Sequence, residues 1–175
     1  MSLSTGSVIA KSLLLAEDGR ELDELFADPE LLIDVADHPG HAAERWNDKR
    51  AEDPGWSAGV LHLTVNEVLL SDARTADDLW PLWSYLLSML DEYLRDGVGQ
   101  FAFPTQDVHV VLRDRDGATF FSVGDVEIDV HARSLIPQLL DAAEAFFRWV
   151  TEIADDDASG ELDFIEEIRE ELASL

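Results

Sequence analysis

Five histidines, thirty-eight carboxylates and no cysteine are the reactive inventory of this 175-residue chain. The missing thiol excludes a cysteine nucleophile, a cysteine zinc site, an iron–sulfur cluster and any disulfide. No glycine-rich phosphate loop ends in Lys-Ser or Lys-Thr, and there is no G-x-S-x-G elbow or H-E-x-x-H helix. What remains is carboxylate and imidazole chemistry, which depends on spacing. Glu127, Asp129 and His131 stand at every second position, so one face of a strand presents all three. Such a face has the groups for general acid–base hydrolysis, and it equally describes the solvated side of an antiparallel strand. Asp37, His38, His41 and Glu44 form a second set, but Pro39 and Gly40 are expected to break the helix that would align them.

A third set lies near the C-terminus, in "DDDASGELDFIE". Counting from Asp155, oxygen-bearing side chains fall at positions 1, 3, 5, 7, 9 and 12: Asp155, Asp157, Ser159, Glu161, Asp163 and Glu166. Gly160 stands at position 6 and the aliphatic Leu162 at position 8. The segment resembles an EF-hand calcium-binding loop at each of these positions. A hard cation takes six to eight oxygens, and a wrapped loop brings alternate residues inward. The resemblance implies one calcium ion held by those six residues, with the glycine permitting the sharp turn. It does not extend to the flanks, where Thr151, Glu167, Glu170 and Glu171 replace the usual apolar positions, and no second loop pairs with the first. The same residues also read as an acidic connector, with Asp163 capping a last helix and Glu166 completing its capping box.

These groups need elements to hold them. Residues 7–16 read as a first strand. Asp28-Pro29 reads as a helix start, in a helix that stops at His38-Pro39, and residues 41–53 as a further polar helix. Residues 60–71 alternate around Asn66-Glu67, the pattern of a hairpin. Leu79, Leu82, Trp83, Leu86, Leu87, Leu90, Tyr93 and Leu94 recur at helical spacing, with Asp78 as cap and Gly97 as stop. Residues 107–133 read as a three-stranded meander turning at Asp116-Gly117 and Gly124-Asp125. A second amphipathic helix starts at Ser134 and carries Leu139, Leu140, Ala143, Phe146, Phe147, Val150 and Ile153 on its apolar stripe. A last helix spans about 163–174.

The order predicts an α+β fold in a single domain. Its mostly antiparallel sheet, hairpin plus meander, is covered by two long amphipathic helices, with an N-terminal helical section. Residues 1–154 form the α+β domain; 155–175 form an acidic loop and C-terminal helix packed on it or extending from it. Trp46 and Trp56, in polar surroundings, are candidates to anchor an interface.

The formal charge is −26, with twelve lysines and arginines against the thirty-eight acids. Such a field repels phosphate backbones, which argues against nucleic-acid binding, and favours a basic protein as partner. Spread over the whole chain, the acidity also fits solubility or a salty surrounding. No apolar run reaches membrane-spanning length, and the N-terminal residues lack a basic, apolar leader, so a cytoplasmic protein is expected. Together these features point to a non-catalytic acidic binding protein, an inhibitor or immunity-type protein for a basic target, with calcium as the one implied cofactor. The alternative is a small hydrolase using Glu127, Asp129 and His131.

Overall fold

Tight two-residue turns set the strand pairing. The computed structural model describes residues 6–175. Within it Asn66 and Glu67 both take positive φ, 51° and 66°, the backbone of a hairpin turn whose twist matches its strands. This turn joins β3 (Ala58–Val65) to β4 (Val68–Ser71). β1 (Val8–Leu15) pairs antiparallel with β3 on one side and with the short β2 (Leu32–Asp34) on the other. The two-residue β5 (Asp77–Asp78) adds to the end of β3. The second sheet is β6 (Val98–Ala102), β7 (His109–Arg115), β8 (Ala118–Val123) and β9 (Val126–Val130), in that order and all antiparallel. The α+β reading therefore holds, with the hairpin and the meander divided between two sheets.

Two long helices fill the interior. α3 (Leu79–Asp96) follows β5 directly and ends at Gly97, whose φ of 73° lets its N–H close back on the Tyr93 carbonyl at 2.8 Å. β6 then turns back along α3. A side chain at Gly99 would put its Cβ 2.0 Å from the Met89 carbonyl oxygen, so only glycine admits this approach of strand to helix. α3 packs on β6, β7 and β3, while α4 (Ala132–Glu152) lies against β1. Leu82, Trp83, Leu86, Leu87, Leu90, Leu139, Leu140, Phe147, Val150 and Phe121 are all buried in the shared core. Each such large apolar side chain contributes roughly 1.5–3 kcal/mol.

Three expectations change in the N-terminal third and at α4. Pro29 opens only a single 3₁₀ turn, Pro29–Leu31, capped by the Asp28 carboxylate, and the chain then runs into β2. Pro39 does not stop a helix but starts α2 (Pro39–Glu52), standing at the first helical position where its missing N–H costs nothing. α4 begins at Ala132 with His131 at its cap, and Ser134 sits inside its first turn. The short α1 (Leu22–Ala27) brings Leu25 over Val60 and Ala73, forming a second small apolar cluster on the opposite face of the first sheet. Both faces of β3 are thereby covered at that end, which is why the consecutive Val60 and Leu61 are both buried.

The last helix, α5 (Ser159–Ser174), packs across α3 and α4, with Ile165 and Ile168 fully buried. Among the described residues no helix is long and apolar enough to cross a membrane.

Candidate functional site

The C-terminal acids do not converge on a point. α5 starts at Ser159, so residues 159–166 are helical and their side chains radiate instead of turning inward. Gly160 takes no positive φ; Asp155, at 57°, makes the sharp turn. Asp157 accepts the Ser159 N–H at 3.0 Å and holds the helix start; the Ser159 hydroxyl first, then this N–H, keeps its carboxyl below its usual pKa. Glu161 faces α3, where it accepts the indole N–H of Trp80 at 2.6 Å. Glu166 pairs with Arg169 at 2.7 Å, while Asp155 and Asp163 face solvent. Among the described residues no group of three or more histidines or carboxylates is placed to hold a metal ion. In this conformation the segment is a latch. Arg169 reaches Asp141 at 2.8 Å, Glu144 at 2.6 Å and Glu166, tying α5 to α4. Burial works against the Arg169 charge, but the three carboxylates outweigh it and raise its pKa further.

Asp156 extends the latch to α2, taking Arg50 Nε at 2.7 Å. The Arg50 guanidinium lies over Trp46 at 4.8 Å and over Trp80 at 5.3 Å, the two rings being stacked. Trp46 also meets Trp56, Phe146 and Trp149 edge to face. Trp46 and Trp56 are buried at 0% and 8% exposure, so they belong to the core and are not free to anchor an interface. For Trp46, polar neighbours in sequence conceal this, because α2 presents them outward and turns Ala42, Ala43 and Trp46 inward.

The meander face keeps Glu127, Asp129 and His131 exposed; Asp129 and His131 line one open pocket of about 490 Å³ with Thr119 and Arg133, and Glu127 stands outside it. Glu127 accepts Arg113 at 2.7 Å and Arg115 at 3.0 Å, and these guanidinium groups, Arg113 first, hold its carboxyl below the usual range. Asp129 lies across from Phe120 in the register, and His131 immediately precedes α4 without a side-chain bond to the helix start. Both oxygens of Glu127 are engaged by arginine, and the carboxylate–imidazole contact on this face is instead Asp107 with His109, at 3.3 Å and open to solvent. Of the other set, His38 precedes α2 without a side-chain bond to the helix start, and it, Asp37, His41 and Glu44 are all exposed.

A groove that spacing alone does not reveal runs between α4 and the β1–β2 edge, with a volume of about 420 Å³. Its floor and walls are Ala10, Val35, Ala142, Phe146 and Trp149. Small side chains on β1 and α4 leave the space open. The Trp149 indole is fixed by donating to the Pro39 carbonyl at 3.0 Å. Lys11, bonded to Asp34 at 3.1 Å and near Asp37 at 3.9 Å, stands on one rim; Arg148, paired with Glu144 and Glu152, stands on the other. Burial raises the Asp34 carboxyl, but Lys11 and the N–H groups of Ala36 and Asp37 prevail and hold it below its ordinary pKa. The signal available in sequence was weak: alanines at 142 and 145 on an otherwise bulky helix, facing a strand that carries Ala10 and Ser12.

The chain matches no family model, no curated protein and no solved structure.

Proposed function

We propose that this chain is a non-catalytic binding protein for a cationic protein. The observation that carries the reading is how the fold uses its cations. Eleven of the twelve lysines and arginines stand within 4.0 Å of a carboxylate of the same chain. Internal pairing consumes the positive charge, and the surplus acid is left at the surface. Glu21, Asp23, Glu24, Asp28 and Glu30 are exposed around α1, and Asp163, Glu167 and Glu170 are exposed on the outer face of α5. Such a field draws a basic protein in from solution and repels nucleic acid.

The test is capture from the native host on the immobilised chain. A basic protein retained at low salt, in fixed stoichiometry and with an association rate that falls steeply with ionic strength, is the expected result. Retention of nothing at low salt overturns the reading.

A further inference from the structure

We infer that the groove between α4 and the β1–β2 edge is the anchor site of the cationic partner, and that it takes a bulky apolar side chain flanked by arginine or lysine. This rests on the reading of the chain as a binder of basic proteins and names where that partner seats. Three observations point to this occupant. First, the volume, about 420 Å³, is in the range of sites that enclose a side chain or small molecule. The apolar floor, with Phe146 and Trp149 fixed in place, offers burial without reorganisation. Second, the apolar surface continues past the end of α4, where Ile153 is 47% exposed beside the groove. Third, the rim is complementary to cations. Asp34, Asp37 and Glu152 outnumber Lys11 and Arg148 there, and the Asp37 and Glu152 side chains are 67% and 63% exposed. Asp37 is held only loosely, at 3.9 Å from Lys11, and Glu152 at 3.4 Å from Arg148. An incoming guanidinium can take either carboxylate while the apolar side chain beside it fills the trough. An acidic or phosphorylated segment has no unshared cation to meet on this rim.

The probe is the synthetic peptide Ac-Arg-Arg-Trp-Arg-Arg-NH2, titrated into the full chain and followed by amide chemical shifts. Salt of about 0.15 M limits exposed charges to a reach of roughly 8 Å and suppresses diffuse attraction. The expected shifts centre on residues 10–12, 35–37 and 142–149. Replacing the peptide's tryptophan by alanine, or its arginines by glutamates, weakens binding at least tenfold. In the protein, Ala145→Trp fills the trough from an exposed position of α4, and the double variant Asp37→Lys, Glu152→Lys reverses the rim. Each weakens the peptide at least tenfold while the circular dichroism and melting profile stay those of the wild type. Shifts centred on α5 or α1, or unchanged affinity in both variants, overturn the inference. The same variants separate it from the broader reading. A host protein captured equally by wild type and Ala145→Trp leaves the acidic-binder reading standing and removes the groove from it. Peptide in the groove with no basic host protein retained does the reverse.

Discussion

Arg169→Met removes one positive charge at the point where α5 meets α4, and the structure sets the cost. The Arg169 side chain is 29% exposed and its guanidinium holds three carboxylates, Asp141, Glu144 and Glu166. Asp141 and Glu166 are mostly exposed, and such pairs contribute about 0.2–1 kcal/mol each. Glu144 is only 19% exposed, and a hydrogen bond to a charged group in that setting is worth about 1.5–3 kcal/mol before solvent screening. Arg148 also holds Glu144, at 2.7 Å, so the carboxylate is not left without a partner, which places the loss toward the lower end. Methionine keeps much of the apolar stem, so the substitution chiefly removes the charge. The sum is about 2 kcal/mol, or about 4–8 °C in melting temperature for a domain of this size. Urea unfolding at neutral pH gives the free energy, and amide exchange locates it: protection falls across Ser159–Ser174 and stays high in β3 and α3. The pH dependence has a defined sign. Arg169 first, then Arg148, overcomes burial and lowers the Glu144 pKa in the folded chain. That stabilisation is full above the unfolded value, about 4.3, and is lost as pH falls through the lower folded value. The deficit of Arg169→Met therefore shrinks on acidification below about pH 4. A loss under about 0.5 kcal/mol, or unchanged exchange in α5, refutes the latch argument.

Gly99→Ala forces a Cβ to within 2.0 Å of the Met89 carbonyl oxygen, so β6 must shift from α3; a loss of about 1–3 kcal/mol in urea unfolding is expected. Asp78→Asn should stabilise the chain at neutral pH, by under about 1 kcal/mol after solvent screening. Burial, then Asp77 and Asp53, raise the Asp78 carboxyl, so its charge costs stability once pH exceeds the unfolded value, and thermal melts at pH 4 and pH 7 should show the gain only at the higher pH. Millimolar calcium should give the same small heat with wild type and Glu166→Gln, because binding at 155–166 needs the first two turns of α5 unwound and the Glu161–Trp80 bond broken. Calcium-dependent heat abolished by Glu166→Gln would show that the segment refolds into the loop.

Local rules were enough for much of the architecture. The 3.6-residue period of Leu82, Trp83, Leu86 and Leu90 specifies α3, Gly97 its end, and Asn66-Glu67 and Asp116-Gly117 their hairpins, because each depends on a few adjacent dihedral angles. The charge balance was likewise fixed by composition. Tertiary structure decided whatever depended on which groups meet. Twelve residues with EF-hand spacing became a helix start, because Ile165 and Ile168 gain more by burial against α3 and α4 than an unfilled loop of repelling carboxylates could offer. Pro39, which can either stop a helix or start one, starts α2, since β2 needs the preceding residues extended beside β1. Trp46 is core because α2 turns it toward Trp80 and Trp149. Glu127 is bound to arginine because β7 places Arg113 and Arg115 within its reach. The groove has only a faint linear signature: it exists where small residues of β1 and α4, about 130 positions apart in the chain, face each other and leave space that neither segment could define alone.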